Sequence, residues 1–227
     1  THRATYIIFL QIGLLFSSWA PLIPFVKQRL SLDESALGIL LLCFGIGSLL
    51  AMPFAGMLVA RFGCRNIILP GMISLCLLLP NLAITPSVVL TGVVLFIFGA
   101  VIGILDVAIN VQAVLVEKAA NRTMMSIFHG LGSLGGIIGT AIMSILIWWG
   151  LHPFGSAITV VILSVILLSM AASGLLRYGS ESDSAKFVFP RGIVLLLGVL
   201  CFITFLVEGA IQDWGGVYLH EQKQAPQ

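Results

Sequence analysis

Charge is what this sequence has least of. Only 9% of its 227 residues are Asp, Glu, Lys or Arg, while 59% are hydrophobic. A water-soluble domain covers itself with roughly 25% charged residues, so an ordinary soluble fold is excluded. The formal net charge is +2 and the basic residues are scattered between apolar blocks, so no nucleic-acid partner is expected. Cysteine is sparse too. Cys43, Cys64, Cys76 and Cys201 have no paired spacing, so they read as small apolar residues, and neither a disulfide nor a metal site is expected. No H-E-x-x-H occurs, and Ser133 has no G-x-S-x-G context because Leu131 stands at the first glycine position; no catalytic residues and no enzyme activity are expected. The last apolar block has no Lys for a retinal Schiff base, which counts against a receptor-like seven-helix protein. No separate signal peptide is expected, since block 4–26 is too long for an h-region and lacks a clear small-residue cleavage site.

What the sequence does have is apolar blocks of the right length. A membrane helix needs about 20 apolar residues at 1.5 Å each, and seven such spans are predicted, over 4–26, 36–60, 67–82, 87–116, 125–149, 154–176 and 192–218. The expected fold is an all-α membrane protein in the lipid bilayer. Residues 1–176 would form a six-helix bundle, 177–191 a polar cytoplasmic linker, and 192–227 a seventh helix with an outer tail. Ser31-Leu32-Asp33-Glu34 has the pattern of a capping box that would start the second helix. The connector charges alternate: Arg3, Arg61, Arg65, Lys118, Arg122, Arg177, Lys186 and Arg191 fall on one side, Lys27, Arg29 and Lys223 on the other. The positive-inside rule then places the N-terminus in the cytoplasm.

The spans are not equivalent. The third and sixth carry no charge and read as lipid-facing scaffold. The first carries Gln11 and Trp19, the fourth Asp106 and Asn110, and the seventh Glu208, Gln212 and Asp213. Polarity thus returns every third helix, which suggests three-helix units whose first members face a shared cavity. A carboxylate near the bilayer centre costs roughly 3 kcal/mol on insertion scales and is functional by default.

On the fourth span Gly99, Gly103, Asp106, Asn110, Ala113 and Glu117 share one helical face. Asp106 then either carries a proton or contacts solute, or is a structural group satisfied by a neighbour such as Asn110. His129 opens the fifth span, followed by Gly132, Gly136 and Gly139 at helical spacing. It suits a proton relay or gate, or equally a residue bonded to backbone or headgroup. Gly130-Leu131-Gly132-Ser133-Leu134-Gly135 matches the dinucleotide fingerprint, but that motif needs a preceding strand and a βαβ unit. Helix packing is the better reading, and no cofactor is expected. On the seventh span Glu208 and Gln212 share a face. Asp213 lies beside Trp214 near the outer end, where it reads as an interfacial acid or a path residue. The proton-coupling candidates are Asp106, Glu208 and His129; the solute-path candidates are Gln11, Trp19, Asn110, Gln212 and Asp213.

Between the second and third spans runs Gly56-Met57-Leu58-Val59-Ala60-Arg61-Phe62-Gly63-Cys64-Arg65. It resembles the cytoplasmic loop signature of the major facilitator superfamily, G-x-L-x-D-R-x-G-R-R/K. Gly56, Leu58, Arg61, Gly63 and Arg65 match; Ala60 replaces the usual aspartate and Cys64 an arginine. Ser18-Trp19-Ala20 with Pro24, the run Asp106 to Val111, His129-Gly130 with Ser133-Leu134-Gly135, and Glu208-Gly209 with Asp213-Trp214 further resemble the fucose-permease and MosC-like (rhizopine transport) branch. This resemblance implies a bacterial inner-membrane transporter of about twelve spans, built from two six-helix bundles and working by alternating access on a small polar, sugar-like solute, often with protons. Asp106 would match the branch's acidic position on its fourth span. On that expectation the sequence holds the first bundle and one helix of the second, with the rest of the second bundle as its missing partner. The alternative is a non-transporting membrane scaffold or receptor-like protein.

Overall fold

A computed structural model describes residues 1–179 and 191–223, with side chains described as far as residue 219. Most of the linker expected over 177–191, Lys186 included, lies outside the described residues, as does the side chain of Lys223. The elements are α1 (His2–Ser17), a 3-10 turn (Ala20–Leu22), α2 (Ile23–Arg29), α3 (Glu34–Phe62), α4 (Cys64–Ile84), α5 (Val88–Ala120), α6 (Met125–Trp148), α7 (Pro153–Ala171), a second 3-10 turn (Ala172–Gly174) and α8 (Ile193–Lys223). Among the described residues these are all helices. Seven segments of the described residues are long and apolar enough to cross a bilayer, α1 and α2 together making the first.

The break in that first span follows from Pro21 and Pro24, which lack the amide hydrogens a continuous helix would use; the chain tightens into the 3-10 turn and restarts at Ile23. The start of α3 differs from the capping-box expectation. Asp33, not Ser31, is the N-cap, and its carboxylate accepts from the amide of Ala36 at 2.7 Å. Ser31 instead adopts a left-handed conformation with φ 50°, which takes it out of capping position.

Two helix pairs dominate the packing, and glycine makes both possible. On α6, an alanine methyl at Gly135 would lie 1.9 Å from the Leu10 carbonyl oxygen of α1, and one at Gly139 2.2 Å from that of Leu14. On α1, a methyl at Gly13 would lie 1.9 Å from the Gly132 carbonyl. The two backbones therefore touch. The fingerprint-like glycines of α6 thus serve helix packing. In the second pair, methyls at Gly47 of α3 and Gly99 of α5 would each lie 2.0 Å from a carbonyl oxygen of the facing helix, that of Phe96 and Phe44 respectively.

The helices expected to be lipid-facing scaffold are so on one side only. In α4, Ile68, Met72, Leu75 and Leu79 are fully buried while Ile73 and Leu77 are exposed; in α7, Ala157 and Val160 are buried while Ile162, Val165 and Ile166 are exposed. Their lack of charge lets the other side join the core between α1, α4, α5 and α7. Helix α8 is different, with its apolar residues from Ile193 to Ile211 largely exposed. It meets the rest of the chain at its far end, where Trp214 lies against Gly38, Gly216 against Pro24, and Val217 is buried.

Candidate functional site

The polar stripe of α5 is covered at one end and open further along. Gly99 and Gly103 are sealed against α3, where methyls would run into Phe44 and Ser48. One turn on, Asp106 is exposed. Asn110 lies one turn further, half-buried, and its amide donates to the Asp106 backbone carbonyl at 2.8 Å and, at 3.4 Å, to the carboxylate Oδ1. That bond orients the acid without neutralising it.

Across from α5, His129 is exposed on the first turns of α6, its ring edge-on to Phe9 at 5.4 Å. Asp106 and His129 are close enough for their charges to interact. Ser133, one turn beyond His129, is also exposed. Two neighbouring helices thus carry an acid held by an amide and, within electrostatic reach of it, an imidazole, with an exposed hydroxyl one turn beyond the imidazole. Their acceptors, donors and one titratable pair could bind a polyhydroxylated molecule or pass a proton.

The start of α6 is set by a residue whose role the sequence pattern did not reveal. Glu117, at the end of α5, accepts through Oε2 from the amides of Met124 and Met125 at 2.6 and 2.8 Å. It fills the N-terminal capping role from the preceding helix, across a turn in which Asn121 is left-handed. Glu117 therefore fixes the first turn of the helix that carries His129.

Two path candidates go elsewhere. Gln11 is fully buried, and its amide donates to the hydroxyl of Ser164 at 2.7 Å and to the Ser164 carbonyl at 3.1 Å. Its amide nitrogen is turned to α7 and finds its partners there, while its Oε1 is buried without a hydrogen-bond partner. Trp19 is 2% exposed, packed in the core at the break after α1. Neither side chain is open to solvent among the described residues. On α8, Glu208 is exposed, and Gln212 and Asp213 are half-buried. The amide nitrogen of Gln212 is buried without a hydrogen-bond partner.

The loop motif divides in the same way. Gly56 is exposed with open space around it. Arg61 is exposed, its guanidinium 5.2 Å from the Phe62 ring centroid. Gly63 is buried with φ 82°, and Arg65 is half-buried. Among the described residues no three His, Cys, Asp or Glu side chains converge on a point that could hold a metal ion.

The chain is a multi-pass helical bundle with polar residues at isolated points along its spans. The family model of the Major Facilitator Superfamily matches residues 5–224, and the chain belongs to that family. It is 49% identical over 217 residues, 95% of its length and 56% of the relative's, to an uncharacterized MFS-type transporter of Yersinia pestis. It is 31% identical to an uncharacterized transporter of Sinorhizobium fredii, over 94% of this chain and 57% of that one. It is also 31% identical to the membrane protein MosC of Rhizobium meliloti, over 93% and 52%. The chain spans about half the length of the curated relatives it matches.

Proposed function

We propose that the full-length protein is a secondary active transporter of a small polar, sugar-like solute, coupled to protons and working by alternating access in the bacterial inner membrane with its N-terminus cytoplasmic. Residues 1–176 act as the first bundle, 177–191 as the cytoplasmic linker, and α8 as the first helix of a second bundle. The observation that carries the reading is Asp106, an exposed acid within a membrane span, held by Asn110 and within electrostatic reach of His129. A charge in that position is costly and is kept where it serves a solute or ion path. Asp106 is the proton carrier; Asn110, Ser133 and His129 contact solute or relay the proton. Glu208, Gln212 and Asp213 extend the path along α8, where the unpaired Gln212 amide supports a polar ligand. The arrangement of α8, which among the described residues meets the bundle near its far end, supports a cycle in which the two bundles part on the other side.

Proteoliposomes of the full-length protein test this. An imposed inward proton gradient should drive accumulation of the transported sugar, and Asp106→Asn should abolish accumulation while sparing exchange down a gradient. Unaltered pH-dependent accumulation by Asp106→Asn would remove Asp106 as carrier and shift the role to Glu208 or His129. No uptake of any polar solute by the wild type would favour the non-transporting scaffold.

A further inference from the structure

The chain leaving α7 does not simply run off into a linker. The amide of Arg65 donates to the Leu176 carbonyl at 2.8 Å, and that of Cys64 to the Tyr178 carbonyl at 3.4 Å. Both donors belong to the first turn of α4, whose N-cap Gly63 offers no side-chain cap; first-turn amides have no partner within their own helix. The approach is close at two glycines. A methyl at Gly63 would lie 2.1 Å from the Arg177 carbonyl oxygen, and one at Gly179 2.4 Å from that of Val59. Gly63 is doubly constrained, because its φ of 82° also disfavours any side chain.

A fully buried glutamine holds the same segment from the other side. Gln112 of α5 accepts from the Leu176 amide at 3.1 Å and donates to the Thr5 hydroxyl of α1 at 3.2 Å. Gln112 and Thr5 are both 0% exposed. Leu176 thus gives its amide to α5 and its carbonyl to α4, and residues 174–179 are stitched to α1, α3, α4 and α5 at once.

We propose that residues 174–179 are a strap that locks these helix ends into one unit, with Gln112 as its buried node and Gly63 as its seat. The chain toward α8 then departs from the α3–α4 turn rather than from the end of α7. Any displacement of that turn is carried into the linker, and release of the strap uncouples the two. The strap is independent of whether the protein is proton-coupled.

Residue-resolved hydrogen exchange on the full-length wild-type protein in nanodiscs tests it without any mutation. The amides of Cys64, Arg65 and Leu176 should exchange at least tenfold more slowly than those of Val88 to Leu90, the first turn of α5, which has no side-chain cap. Gln112→Leu should raise exchange at Leu176 at least tenfold while leaving Leu105 in the core of α5 unchanged. A second comparison uses the same readout on two glycine variants. Gly63→Ala should raise exchange at Arg65 and Leu176 at least tenfold, and Gly56→Ala, which meets open space, should not. Equal exchange at Arg65 and Val89 in the wild type, or equal exchange at Leu176 in the Gly63 and Gly56 variants, overturns the strap.

Discussion

Replacing Gly135 by alanine puts a methyl group 1.9 Å from the carbonyl oxygen of Leu10, with the Leu10 carbonyl carbon at 2.8 Å and its α-carbon at 3.0 Å. None of these atoms can rotate away, because all belong to the backbone of α1. Ordinary contact begins near 3.4 Å, so the helices must part by roughly 1.5 Å at this level, well beyond the range over which dispersion contacts survive. The neighbouring contacts at Gly13 and Gly139 loosen with them. Overpacking of this kind costs about 1–3 kcal/mol. For a bundle of about 150–250 residues that melts as a unit each kcal/mol is about 2–4 °C of melting temperature, so the expected fall in the transition of this bundle is roughly 2–12 °C. Gly130 supplies the control. It stands in the same glycine-rich run and on the same helix, yet a methyl there meets nothing within 4 Å. Gly130→Ala should leave the melting temperature unchanged or raise it slightly through helix propensity. Detergent-solubilised full-length variants, followed by tryptophan fluorescence or thiol-reactive dye, give both values. Equal melting temperatures for the Gly135 and Gly130 variants would refute the backbone-contact account of α1 and α6.

Other consequences follow from the same geometry. Glu117→Ala removes the acceptor for two amides of α6 and should cost about 1–3 kcal/mol, read as a melting temperature lower by several degrees; Glu117→Gln, which keeps an acceptor oxygen, should lose less. Gln11→Leu should lower the melting temperature by a few degrees, since it leaves the buried Ser164 groups without their donor, while leaving the KM for solute nearly unchanged; a tenfold rise in KM would return Gln11 to the solute path. A reporter fused after Arg177 should be active in the cytoplasm and one fused after His220 outside, as activity assays of the two fusions will show; the reverse pattern at both sites overturns the orientation.

The spans were legible because lipid imposes one rule, an uninterrupted apolar length, and the sequence states it plainly. The break in the first span, expected as one run over 4–26, was not read ahead, although Pro21 and Pro24 are its cause. The glycines of α6 were readable as a packing face, but not which helix they would meet, since Gly135 finds its partner at Leu10, far earlier in the chain. The candidate site was half visible. Asp106 and His129 stand out as titratable groups in apolar surroundings, yet only the fold brings them near each other. Gln11 carried the same polar signal and lies in the core, because burial of an amide depends on a distant serine. Glu117, Gln112 and Gly63 act on backbone amides and carbonyls, which every residue has, so no pattern of side chains could name their partners.

The pairing of α1 with α6 also sets an order of events during synthesis. Gly13 leaves the ribosome about 120 residues before Gly132, which at 5–20 residues per second is a wait of roughly 6–24 s. For that interval the first span has glycines but no helix to press against, and its Gln11 amide has no Ser164 until α7 follows. A nascent chain in this state must be sheltered at the insertion machinery or remain tilted in lipid with a polar group unsatisfied. Helix α1 is made well before α6 and α7, and is locked in place only once they follow.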